Sequence, residues 1–134
     1  MLKRMLGEFL GTFGLVFCGT GAIIINQEFN GVITHLGIAI TFGLIVMVMI
    51  LSFGHISGAH INPAVTISLS VVRRFKWTNI IPYIFVQLGG GCLASYILHF
   101  QSIWVYIMGP ISGALLASFV FALLKEDNKH PLLQ

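Results

Sequence analysis

The chain has 134 residues, 57% of them hydrophobic and only 8% charged. A soluble domain carries roughly a quarter of its residues as charges, so this balance excludes an ordinary water-soluble core and points to a membrane protein. The net charge of +3 comes from cations placed at the ends of apolar stretches, which is a topology signal and not a surface for nucleic acid.

No charged residue occurs from Phe29 to Val72, or from Trp77 to Leu124. A bilayer-spanning helix needs about 20 mostly apolar residues. Four segments qualify: 5–25, 36–54, 80–100 and 103–124. Met1-Leu2-Lys3-Arg4 has the charge of a signal-peptide n-region. The apolar stretch behind it is longer than an h-region, contains Glu8 and lacks a small-x-small cleavage site, so it is read as a retained span. Cys18 and Cys92 fall inside spans and read as small packing residues, with no disulfide expected. Gly7-x3-Gly11, Gly109-x3-Gly113 and the run Gly89-Gly90-Gly91 have the spacing that lets helix backbones approach in a membrane. Packing within the chain and self-association into a homo-oligomer are both open to them.

Residues 55–72 link the second and third spans, yet carry no charge. Gly54, Gly58 and Pro63 are expected to break any continuous helix here. Asn62 suits an N-cap and Pro63 the first helical position. A helix from 63 to 72 would be about 15 Å long, half of the roughly 30 Å hydrocarbon core. The loop therefore dips into the membrane and a half-helix returns, with Asn62 near the midplane. Bare backbone at that depth is tolerated only inside protein or beside a wet cavity. Half-helices ending there recur at polar substrate sites. The positive end of the helix dipole disfavours cations. The Asn62 amide can donate to a water or alcohol oxygen, and the carbonyls of Gly58, Ala59 and His60 can accept.

The third and fourth spans are joined by the short link Gln101-Ser102, a length found between antiparallel helices. With four spans, Lys3 and Arg4, then Arg73, Arg74 and Lys76, then Lys125 and Lys129 all lie on one side. Cytoplasmic loops are enriched in Lys and Arg, so both termini are expected in the cytoplasm, on a plasma or inner membrane. His35, His55, His60, His99 and His130 share no metal-ligand spacing. No nucleophile–base–acid set is present. Neither a metal, another cofactor nor an enzyme is expected.

The run Gly54-His55-Ile56-Ser57-Gly58-Ala59-His60-Ile61-Asn62-Pro63-Ala64-Val65-Thr66 resembles the first pore loop of the aquaporin, or major intrinsic protein, family. Gly7-Glu8-Phe9-Leu10-Gly11-Thr12-Phe13 resembles the start of that family's first helix, and Gly37–Ile50 its second. Pro82-Tyr83 through Gln87-Leu88-Gly89-Gly90 resembles the third. Trp104-Val105-Tyr106-Ile107-Met108-Gly109-Pro110 then resembles the start of the sixth. The family carries Asn-Pro-Ala twice, in inverted halves; this sequence carries it once. Counterparts of the fourth and fifth helices and of the second loop are missing. An internal deletion of two spans preserves the orientation of the rest.

The resemblance implies a single all-α membrane domain over 1–134, aquaporin-like, with four transmembrane helices and one re-entrant half-helix. It implies a channel for water or small neutral solutes such as glycerol, impaired by the missing half. The alternative is a non-conducting membrane protein, either a partner or regulator of a full-length aquaporin or a decayed remnant. Asn62, Pro63 and Ala64, with Gly58, Ala59 and His60, are the implied pore residues. By position Phe42 matches the second helix's aromatic in the outer selectivity constriction, whose Arg comes from a segment missing here. Glu8 matches a carboxylate that braces a pore loop. From the residues alone it can equally form an interfacial pair with Arg4, at i and i+4.

Overall fold

The computed structural model describes residues 1–98, which form four α-helices: α1 (Leu2–Glu28), α2 (Thr34–Ser57), α3 (Pro63–Val71) and α4 (Ile80–Ile97). A single 3-10 turn, Trp77–Asn79, leads into α4. No strand occurs among the described residues. The expected fourth span over 103–124, the 101–102 link and the cations Lys125 and Lys129 lie outside them. Three of the helical segments are long and apolar enough to cross a membrane.

The first two spans run beyond their apolar windows. α1 starts at Leu2 and ends at Glu28, because long polar side chains at a helix end can reach interfacial water while the backbone stays helical. α2 continues through Gly54, which was expected to break it. A glycine inside a helix costs only about 1 kcal/mol; this helix ends instead at a left-handed residue. That residue is Gly58, with φ 94°, whose N–H closes on the Gly54 carbonyl at 3.0 Å. The half-helix appears as α3, with Asn62 as N-cap, Pro63 in the first turn, and Val72 as its C-cap.

Glycines set the helix arrangement. Along α1, Gly7 faces Ser57 and Phe53, Gly14 faces Met49 and Ile45, and Gly19 faces Phe42, so α1 and α2 are antiparallel. Phe9 lies against Gly89 and Gly90, Val16 against Gly91, and Gly21 near Leu98, so α1 and α4 are parallel. α1 is therefore the middle helix, and α3 packs on α4. At Gly90 a Cβ would collide with the backbone of Phe9. Gly7-x3-Gly11 and the 89–91 run thus serve packing within the chain.

The interior of this half-bundle is polar. Glu8, Thr66, Ser70 and Gln87 are fully buried and Tyr83 nearly so. None of the most apolar stretch of α2 is buried within the chain. This inversion of the soluble pattern suits a protein whose outer solvent is hydrocarbon. Cys18 and Cys92 are both free thiols.

Candidate functional site

The link between α2 and α3 is held in an unusual backbone. Gly58, Ala59 and Ile61 have φ of 94°, 45° and 43°. Glycine accepts this freely; a β-branched residue there is an outlier, with a cost of about 1–2 kcal/mol. Such strain persists only where surrounding structure over-determines it. Here the determinant is a distant carboxylate. The His60 N–H donates to Glu8 Oε1 at 3.0 Å and the Ile61 N–H to Oε2 at 2.7 Å. The Ile61 side chain nests on α1 at Gly11, where a Cβ would clash with it.

A second layer holds the carboxylate. Gln87 on α4 donates from Nε2 to Glu8 Oε2 at 2.7 Å and to Thr66 Oγ1 at 3.0 Å, using both amide hydrogens. Thr66 Oγ1 lies 3.2 Å from the Asn62 carbonyl and 3.1 Å from His60 Nδ1. One assignment satisfies the set: the hydroxyl donates to the Asn62 carbonyl, and His60 donates from Nδ1 to Thr66. The Tyr83 hydroxyl donates to the Ser57 carbonyl at 2.9 Å. Its ring and that of Phe75 pack on His60, with centroids 5.3 and 4.7 Å away. α1, the loop, α3 and α4 thus share one buried hydrogen-bonded network, the kind of network that specifies a unique arrangement when every member is satisfied.

The sequence-derived residues divide as follows. Gly58, Ala59, His60, Asn62, Pro63, Ala64 and Glu8 come together. Both Glu8 oxygens are directed at the loop and Gln87, while Arg4, one turn earlier, is exposed. The His60 ring is committed to Thr66 and the aromatic pair. Phe42 stands apart: its ring lies over Gly19, about 12 Å along α1 from Gly11. The contact of Ile61 with Gly11 puts the loop tip roughly 14 Å in from the start of α1, a helix about 40 Å long.

The peptide groups of the loop are unevenly used. Gly58 N–H bonds the Gly54 carbonyl, Ala59 N–H bonds Ser57 Oγ at 3.0 Å, and the next two amides bond Glu8. Every N–H from Gly58 to Ile61 is therefore engaged. Among the described residues no donor reaches the carbonyls of Gly58, Ala59 or His60. Asn62 Oδ1 accepts from Ala64 N–H at 2.9 Å, which orients its side chain and leaves the Nδ2 hydrogens without an acceptor among the described residues. The result is three acceptors in sequence and one two-hydrogen donor at the start of α3.

Sequence reasoning did not assign roles to Gln87, Thr66 and Tyr83. A signal existed for Gln87: an amide side chain inside an apolar span is expensive unless it is partnered.

The major intrinsic protein family model matches residues 1–101, and the chain belongs to that family. It is an integral membrane protein. It is 49% identical to the probable aquaporin NIP4-2 of Arabidopsis thaliana over 98 residues, 73% of this chain and 35% of that protein. It is 48% identical to aquaporin NIP1-1 of Oryza sativa subsp. japonica, over 70% of this chain and 33% of that protein. A probable aquaporin of NIP type from Nicotiana alata is 46% identical over 71% of this chain. The chain thus spans about a third of the length of these relatives.

Proposed function

We propose that the chain forms half of a channel wall for water or small neutral solutes such as glycerol, with residues 58–64 as its solute-contacting surface. The observation that carries this reading is the row of acceptors at Gly58, Ala59 and His60, which meet no donor among the described residues, beside amides that are all engaged. A hydroxyl solute donates to carbonyls in turn and accepts from Asn62 Nδ2. Pro63 and Ala64 fix the start of α3, whose N-terminal dipole disfavours cations at that point. Glu8 holds the loop open against its strain. Phe42 narrows the passage further along α1. The names of the relatives support the same reading. In this proposal Asn62 lies near mid-membrane and both termini face the cytoplasm, as the positions of Lys and Arg suggest.

The single Asn-Pro-Ala triplet favours a second reading, a non-conducting partner or regulator of a full-length aquaporin. Osmotic shrinkage of proteoliposomes separates the two. A channel, rebuilt through self-association, speeds shrinkage above the lipid background. Asn62→Asp, which replaces the Nδ2 donor, should slow it about tenfold, the scale of one lost hydrogen bond. Background rates from folded, correctly inserted protein would exclude conduction. Co-purification with a co-expressed full-length aquaporin would then support the partner reading.

A further inference from the structure

We propose that the link between α3 and α4, with the adjoining outer face of α4, binds one anionic phospholipid: its phosphate at Arg73, Arg74 and Lys76, its acyl chain along Trp77, Ile81 and Phe85. Three observations carry this.

The first is clustered positive charge. α1 and α4 run parallel, so Lys3 and Arg4 share an end of the molecule with residues 72–79. Lys3, Arg4, Arg73, Arg74 and Lys76 are all exposed. The acidic side chains among the described residues are Glu8 and Glu28. Glu8 is buried and bonded to the loop. Glu28 is the last residue of α1, at its opposite end. No acidic side chain among the described residues offsets the cluster.

The second is pre-organisation. The cations sit on a fixed turn, not a loose run. Arg73 N–H bonds the Ser70 carbonyl at 3.0 Å, and the Arg74 and Phe75 amides bond the Leu69 carbonyl at 2.8 and 3.1 Å. Phe75 turns inward against His60 and Tyr83, 4.7 Å from each. Arg74 and Lys76, on either side of it, are left exposed. A site whose backbone is already ordered loses less entropy on binding.

The third is the tail surface. Trp77, Ile81 and Phe85 are 62, 79 and 76% exposed and recur every four residues, which places them along one side of a helix. The stripe begins directly after Lys76. A cationic seat continuous with an apolar stripe matches a molecule with a phosphate head and a hydrocarbon tail. A free phosphate would leave the stripe unused.

The test takes the full chain in nanodiscs of equal phosphatidylcholine and phosphatidylglycerol, with retained lipid counted by native mass spectrometry after transfer to detergent. Phosphatidylglycerol should be retained over phosphatidylcholine by at least about tenfold, since each cation near an anionic surface contributes about fivefold. The preference should weaken at high salt, where charges are screened. Inorganic phosphate should not displace the lipid. R73Q/R74Q/K76Q should bring the two lipids close to parity at unchanged helix content. F85A should lower lipid retention while keeping the headgroup preference. Equal retention of both lipids by the unaltered chain would overturn the proposal, as would displacement by phosphate. The wild-type contrast and its salt dependence decide the matter even if the triple variant fails to fold.

Discussion

Among the links with left-handed backbone, those after α1 and after α2 are held by different means. In the turn after α1, Asn30, Gly31 and Thr34 have φ of 51°, 86° and 65°. That turn is tied locally: Asn26 Oδ1 accepts from the Ile33 and Thr34 amides at 3.1 and 2.8 Å. In the link after α2 the Gly58 and Ala59 amides bond locally, but those of His60 and Ile61 reach Glu8 and, through it, Gln87, on helices distant in sequence. The first link is largely exposed, so water can substitute for Asn26. In the second, His60 and Ile61 are buried, so water has little access to replace Glu8. A turn that only reverses the chain needs local chemistry. The second link, whose carbonyls at 58–60 meet no donor among the described residues, has its two inner amides tied by a helix distant in sequence.

The sharpest way to break this contrast is Glu8→Ala. It leaves the His60 and Ile61 amides and one of the two Gln87 Nε2 hydrogens without an acceptor. Each buried donor left unsatisfied costs about 1–3 kcal/mol. The expected outcome is a large loss of monodisperse protein in detergent and a lower unfolding temperature. Glu8→Gln should be intermediate, because one of its two terminal atoms becomes a donor facing donors. An unfolding temperature unchanged in both variants would show that the loop does not depend on the carboxylate.

Gly90→Val tests the same region from α4. The added Cβ meets the carbonyl of Phe9, a backbone atom that cannot step aside. Overpacking of this kind costs about 1–3 kcal/mol. It should push α4 from α1 and draw Gln87 away from Glu8. Amide exchange should rise at His60 and Ile61 and stay unchanged at Ile33 and Thr34. The neighbouring Gly89→Ala is the control: its Cβ meets the Phe9 ring edge at 3.4 Å, and the change should stay within about 0.5 kcal/mol. Equal effects at the two glycines would mean that the α1–α4 approach does not position the network.

The contrast also explains what was legible in the sequence. The helices were visible because hydrocarbon demands long uncharged runs, and the start of α3 because Asn62 and Pro63 act through their own neighbours. Helix ends were less visible: Lys3, Arg4 and Glu28 remain helical while facing water, which apolarity does not encode. Gly54 misled because glycine permits a break without requiring one. The brace was half legible. Glu8 stood out as an acid in a span, but its two possible partners, Arg4 and the loop, could be separated only once the fold set the loop against α1. Gln87, Thr66 and Tyr83 complete the network through tertiary contacts, and no local spacing marks them as partners.

The smallest expected effects lie in the local turn, and they sharpen the contrast from its weak side. Asn26→Ala removes one acceptor serving two amides. Both amides can turn to water, so the loss should be about 1 kcal/mol. Exchange at Ile33 and Thr34 should rise while His60 and Ile61 stay protected. Asn30→Gly should change stability by less than about 0.5 kcal/mol. Asparagine already tolerates the left-handed region, and the freedom glycine gains there is offset by the entropy it loses on folding. Ile61→Gly is the matched probe in the buried link. It relieves a larger strain but removes a side chain only 5% exposed, so it should destabilise by about 2 kcal/mol net. If Asn30→Gly and Ile61→Gly had the same effect in thermal unfolding, the two links would be held alike. Opposite locality of exchange, near the mutation for Asn26 and 52 or more residues away for Glu8, is the result expected of one turn held by its neighbours and one loop held by the fold.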